Sequence, residues 1–200
     1  MTFAILTPTI VRSTLERTCR SLEDQSHTGW HHYLLVDRLT LRPEQWTTLG
    51  RLAHPQRTVL TCEREHRNYG HGCRHDFLLE GKWEGDYVLH LDDDDFLADS
   101  HVLDTLARTV TKEWAIFPVH RSGTWFYDPK PGFCRTTISS YVLRSDCARE
   151  AGFPDAGDGA DSQFVEDVLL AKWPHPQMLG DQRHMVVIPN FNHGVEEVRP

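Results

Sequence analysis

Four consecutive aspartates, Asp92-Asp93-Asp94-Asp95, directly follow the run Val88-Leu89-His90-Leu91. Carboxylates crowded at the end of a buried strand repel one another, and each resists ionisation beside its neighbours. A divalent cation relieves that repulsion. Hard oxygen ligands suit Mg²⁺ or Mn²⁺, which keep part of their water and bind substrate phosphates. The pattern therefore predicts a metal–diphosphate site. The competing reading is an acidic loop leading into the next helix, for which Asp99-Ser100 supplies the start signal. A second acidic pair, Glu166-Asp167, falls in a stretch of helical periodicity from Ser162 to Trp173. A positioned carboxylate can take a proton from an attacking hydroxyl, although acidic residues early in a helix also serve its dipole.

Other residue types bear on chemistry more weakly. His66, His71, Cys73 and His75 could hold zinc if His71 and His75 share a helix face, but Gly72 weakens such a helix and the spacing matches no standard site. Trp125, Phe126, Tyr127 and Phe133 are read either as an aromatic acceptor platform or as packing. The five cysteines (19, 62, 73, 134 and 147) are odd in number, scattered and without a C-x-x-C pair. That distribution predicts reduced thiols in a cytoplasmic protein rather than a disulfide scaffold.

The elements that would position these groups alternate. Phe3 to Thr7, closed by Pro8-Thr9, reads as a buried strand. Ser13-Thr14-Leu15-Glu16 has capping-box spacing, and Leu15, Cys19 and Leu22 continue a helix expected to end near Gly29. Further buried strands are expected at Tyr33–Asp37, Thr58–Cys62 and Asp86–Leu91, with helices near Pro43–Leu52 and through Phe77-Leu78-Leu79. Four strand–helix alternations predict an α/β fold with a mostly parallel central sheet flanked by helices, whose ligands gather beyond the carboxyl ends of the strands. Thr9, Asp37 and Asp92 to Asp95 stand at those ends. Downstream, the pattern predicts a helix after Ser100, strands at Trp114–Phe117, Thr137–Leu143 and Met185–Ile188, and a helix from Ser162 to Trp173.

With 200 residues, one well-buried core and a single domain are expected. The formal net charge of −8 disfavours non-specific attraction to nucleic acid or anionic membrane. No signal-peptide pattern and no apolar run of membrane-spanning length occurs, so the chain is expected to be soluble, with no transmembrane segment.

The string Gly85-Asp86-Tyr87-Val88-Leu89-His90-Leu91 leading into Asp92-Asp93-Asp94-Asp95 resembles the D-x-D region of family 2 glycosyltransferases, which have the GT-A fold. Other segments resemble that family in the same order. Phe3 to Thr9 is similar to its first strand with Pro-Thr, Ser21 to Gln25 to its helix ending, and Val36-Asp37 to its donor-binding acidic strand end. Asn68-x-Gly70 with Cys73-Arg74-His75 resembles a departed form of its N-x-G…A-R-N segment. Gly152-Phe153-Pro154 followed by Phe164 to Leu170 resembles its G-F-x…E-D-x-x-L stretch. The sequence departs from the pattern where Arg38-Leu39 replaces the usual Gly-Ser.

The resemblance implies a metal-dependent, inverting transferase that moves a sugar from a nucleotide-diphosphate sugar, UDP-sugars being favoured, to an acceptor hydroxyl. It implies that Pro8, Thr9, Asp37, Arg74, Asp92 and Asp93 contact the donor. Asp92 and Asp94 would form the D-x-D with Mn²⁺ or Mg²⁺, Asp94 as the direct ligand, and His193 would complete the metal site. Asp167 would be the general base, with Glu166 orienting the acceptor or raising the base's proton affinity. Residues 1–98 would form the nucleotide-sugar-binding half, and residues 99–200 the acceptor-binding and catalytic-base half. Two alternatives are a sugar-nucleotide nucleotidyltransferase, which would normally carry a Gly-rich phosphate loop near the first strand, and a non-catalytic nucleotide-sugar-binding module.

Overall fold

The computed structural model describes residues 1–38, 40–63, 66, 70–121, 124–126, 137–154, 163–179 and 185–188. The first half alternates as expected: β1 (Phe3–Thr9), α1 (Leu15–Glu23), β2 (Trp30–Val36), α2 (Pro43–Arg51), β3 (Arg57–Thr61), α3 (His71–Glu80) and β4 (Tyr87–His90). The second half holds β5 (Phe96–Leu97), α4 (Val102–Thr109), β6 (Trp114–Ile116), β7 (Val119–Arg121), β8 (Thr124–Phe126), a 3₁₀ turn at Ile138–Ser140, β9 (Tyr141–Arg144) and α5 (Ser145–Ala151). A π-helical turn, Phe164–Leu169, then runs into α6 (Leu170–Lys172), followed by β10 (Gln177–Met178) and β11 (Val186–Ile188).

The larger sheet has the order β10-β6-β9-β4-β1-β2-β3. Its β3-β2-β1-β4 portion is wholly parallel, whereas β9 runs antiparallel to both β4 and β6. Every residue of β1 is buried, because a central parallel strand is covered on both faces. Successive side chains leave opposite faces of a strand. Phe3 and Ile5 accordingly join the cluster around Leu22, Leu89, Leu103 and Leu106, while Ala4 and Leu6 join the one around Phe77, Val88, Leu143 and Phe164. Each large aliphatic side chain so buried contributes about 1.5–3 kcal/mol.

Four expectations need correction. α1 starts at Leu15 behind Thr14, whose side chain makes no capping bond, so the capping box read at Ser13 to Glu16 does not form. The helix stops at Glu23 instead of near Gly29 because Trp30 is already needed in β2, and Gln25 Nε2 donates to the carbonyls of Ser21 at 2.9 Å and Asp99 at 2.7 Å. β3 is not buried but is the edge strand, with Val59 and Leu60 more than a third exposed. Finally, Cys62 and Cys73 form a disulfide, while Cys19 and Cys147 are free and buried. The pairing depends on α3 packing against β1 and β2, which brings Cys73 to Cys62 just after β3, a tertiary contact that sequence spacing does not carry. It also removes the cysteine argument for a reducing compartment.

A second sheet, in the order β5-β11-β7-β8, was not foreseen. β11, the expected closing strand, pairs antiparallel with β5 and parallel with β7. This small sheet pins Phe96-Leu97, the residues that leave the aspartate run. Among the described residues no helix is long and apolar enough to cross a membrane.

Candidate active site

The aspartate run makes a tight turn between β4 and β5, closed by the Asp95 N–H donating to the Asp92 carbonyl at 3.1 Å. The turn sorts its four side chains by alternation. Asp93 and Asp95 are buried, at 5% and 2% exposure, whereas the side chains of Asp92 and Asp94 keep 39% and 17% of their surface. The inward pair is held by hydroxyls: Thr9 Oγ1 donates to Asp93 at 2.6 Å, and Ser139 Oγ donates to Asp95 at 2.6 Å. Thr18 Oγ1 also donates to the Asp95 carbonyl at 2.7 Å.

The outward pair meets guanidinium groups. Arg74, fully buried in the first turns of α3, pairs with Asp92. Arg12, on the loop after β1, lies 3.4 Å from both Asp93 and Asp94, and Arg17 donates to the Asp94 carbonyl at 3.0 Å. Arg12, Arg17 and Ser139 were missed by the sequence reading. The first two were detectable as basic residues just beyond the first strand end, whereas Ser139 comes from a segment 44 residues after its partner and leaves no local signal.

Burial and crowding act together on these acids. Burial raises the Asp93 pKa to about 6, with Arg12 and the Thr9 hydroxyl opposing. Burial, then the charge of Asp92, raises Asp94, and the same causes push Asp95 well above the ordinary carboxylate range. The donor set fits a hard divalent cation. Asp92 and Asp94 present partly exposed carboxylates, and a cation held by them would oppose the upward shifts.

The remaining residues expected to contact a donor meet at the adjacent strand ends. The Thr9 hydroxyl accepts from the Val11 N–H at 2.8 Å while donating to Asp93, so Thr9 is buried and acts here by holding the turn. The Asp37 N–H donates to the Thr9 carbonyl at 2.9 Å, and its carboxylate accepts from the His66 N–H at 2.8 Å. Pro8 is tolerated in a central strand because the ladder between β1 and β4 stops at Leu6. Pro8 also packs on Gly70, whose φ of 78° and lack of a Cβ allow that approach at the start of α3.

Glu166 and Asp167 lie on the π-helical turn, Glu166 half-buried and Asp167 exposed. Their connection to the acidic turn runs through rings. Phe164 contacts Phe153 at 4.9 Å, and Phe153 in turn stacks on His71 of α3 and packs against His90, which ends β4. π-Helical turns inside helices recur at functional sites. The zinc reading is not supported: His71 stacks on Phe153, His75 Nδ1 meets the Phe153 carbonyl, and the His/Cys/Asp/Glu group found with ligand spacing among the described residues is Asp37, Cys62 and Cys73. His193, Tyr127 and Phe133 lie outside the described residues, and the side chains of Trp125 and Phe126 are likewise not described.

No family model and no curated protein matches the sequence. Solved structures do match its fold. S. aureus TarS 1-349 in complex with UDP-GlcNAc superposes with a TM-score of 0.74 at 17% identity, covering 95% of this chain and 59% of that one. A second crystal structure of TarS 1-349 gives 0.73 at 16% identity, covering 94% and 60%. The mannosyltransferase PcManGT from Pyrobaculum calidifontis, in complex with GDP-Man and Mn²⁺, gives 0.69 at 13% identity, covering 94% and 56%. The chain thus spans about three fifths of the length of these proteins. At such identities the likeness establishes the architecture, an α/β fold of GT-A type with a mostly parallel central sheet flanked by helices.

Proposed function

We propose that this chain is a metal-dependent, inverting glycosyltransferase that moves a sugar from a nucleotide-diphosphate sugar to an acceptor hydroxyl. The observation that carries the reading is the alternation at the Asp92–Asp95 turn: two carboxylates are locked inward by Thr9 and Ser139, and two are left facing out beyond the carboxyl end of β4. Ligand sites of open parallel sheets lie in that position. The nucleotide-sugar complexes of TarS and PcManGT support a donor of this class. UDP-sugars are favoured on the family 2 resemblance of the motifs.

Asp94 and Asp92 would hold Mn²⁺ or Mg²⁺, with His193 as a third ligand. When bound, the cation neutralises charge on the departing diphosphate. Arg74 holds Asp92 in place and offers its charge toward the diphosphate, while Arg12, beside Asp93 and Asp94, offers its charge from the loop after β1. In this reading Asp37, Pro8 and Thr9 meet the nucleoside at the ends of β1 and β2, and Asp93 braces the adjoining turn. Asp167 takes the proton from the acceptor hydroxyl as it attacks the anomeric carbon, with Glu166 beside it orienting the acceptor. One base and a single displacement invert the anomeric centre. The chain works as one domain, residues 1–98 binding the donor and residues 99–200 supplying the acceptor contacts and the base.

The test is release of nucleoside diphosphate from a panel of UDP-, GDP- and dTDP-sugars with Mn²⁺ or Mg²⁺, comparing wild type with Asp94→Ala and Asp167→Asn. Metal-dependent release from one donor, abolished by Asp94→Ala, is the expected result. Absence of both release and metal-dependent donor binding across the panel would overturn the proposal.

A further inference from the structure

Beside the acidic turn lies a group of different chemistry. Asp37 and Cys62 follow adjacent parallel strands, the Cys62 N–H donating to the Val36 carbonyl at 3.0 Å. Cys73 sits in the first turn of α3, its Cα 6.1 Å from that of Cys62. One carboxylate oxygen and both sulfur atoms lie within 4.8 Å of one another, with Asp37 and Cys73 buried and Cys62 half-buried. The Asp37 carboxylate is already oriented by the His66 N–H, the kind of outer contact that fixes a metal ligand.

We propose that Asp37, Cys62 and Cys73 form a second metal site, which takes Zn²⁺ when the Cys62–Cys73 bond is reduced and is closed when that bond is oxidised. Two thiolates and one carboxylate select a borderline-soft cation such as Zn²⁺ over Mg²⁺ or Mn²⁺, the reverse of the all-oxygen preference at Asp92 and Asp94. Three protein ligands leave a fourth position for water. Both cysteines line a groove of about 490 Å³ between the end of β3 and α3, which gives solvent, a small thiol reductant and the ion a common route to the pair. Among the described residues Glu63, Asp76, Glu80 and Lys82 also line it, Asp76 pairing with His66 and Glu80 with Lys82.

The exchange balances. Two equivalents of a monothiol such as glutathione supply two electrons and two protons, converting the disulfide to two thiols and becoming a disulfide themselves. Zn²⁺ then displaces two protons as the thiolates bind. Cys73 immediately precedes Arg74, the partner of Asp92, so the state of this site is one residue away from the donor side of the fold.

The probe is Co²⁺ titrated anaerobically into reduced, reductant-free protein, followed by displacement with Zn²⁺. A thiolate-to-cobalt charge-transfer band that saturates at one equivalent and is bleached by Zn²⁺ is expected. It should vanish in the oxidised wild type, in Cys62→Ser and in Cys73→Ser, persist in Asp94→Ala, and need at least ~10-fold more Co²⁺ in Asp37→Asn. The reduced and oxidised wild-type arms need no variant to fold. A reduced protein without the band, binding no more Zn²⁺ than the double Cys→Ser variant, overturns the site; a band that survives oxidation overturns the gating. Neither result depends on donor turnover.

Discussion

Thr9 Oγ1 donates a 2.6 Å hydrogen bond to Asp93, joining the end of β1 to the turn after β4 across 84 residues of sequence. Thr9→Val keeps the shape but leaves a buried carboxylate short of a donor, a loss of about 1–3 kcal/mol. Thermal melts should show the drop, and Thr9→Ser should restore most of it. Nucleoside diphosphate release should fall by about 5- to 150-fold in the valine variant where that loss is carried into the transition state, about 1.36 kcal/mol being a factor of ten.

Asp93 also predicts a pH dependence. Its folded pKa of about 6 lies above the ordinary aspartate value of 3.8, so between those values the native state binds a proton that the unfolded chain does not. The Asp93 contribution to stability therefore rises as pH falls from about 7 towards 4 and is lost as pH climbs through about 6. Urea unfolding in EDTA at pH 5 and 7.5 checks this. Asp93→Asn, which retains an acceptor for Thr9, should be more stable than wild type at pH 7.5 by about 1–3 kcal/mol, with the gap closing at pH 5.

The alternation at the turn separates two phenotypes. Asp94→Ala should weaken Mn²⁺ affinity by at least ~100-fold while changing the melting temperature little, because it removes a proposed ligand that is only partly buried and relieves the crowding of neighbouring carboxylates. Ser139→Ala should do the opposite, lowering stability by about 1–3 kcal/mol through the unpaired Asp95 and affecting metal affinity far less. Paired calorimetric titration and melting distinguish them, and matching behaviour in the two variants would contradict the division of labour.

Gly70→Ala tests the approach of α3 to β1. The added Cβ would overlap the Pro8 ring at a φ of 78°, combining left-handed backbone strain with overpacking. The expected cost is about 2–5 kcal/mol. A melting temperature within a degree or two of wild type would mean that α3 shifts freely, and Arg74 with it.

The sequence alone determined the alternation of the first half, because burial on both faces of a parallel sheet demands short apolar runs, and those runs are visible at Phe3, Tyr33 and Tyr87. It also determined that four carboxylates meet at a strand end, since Asp92 to Asp95 abut Leu91 directly. The tertiary structure decided which of them face outward. That choice rests on Thr9 and Ser139, 84 and 44 residues from their partners, and no periodicity encodes a hydroxyl arriving from another strand. The edge position of β3, the second sheet behind β5 and the pairing of Cys62 with Cys73 were invisible for the same reason. Local pattern reports what a segment can bury, whereas neighbours, edges and cross-links follow from the order in which strands assemble.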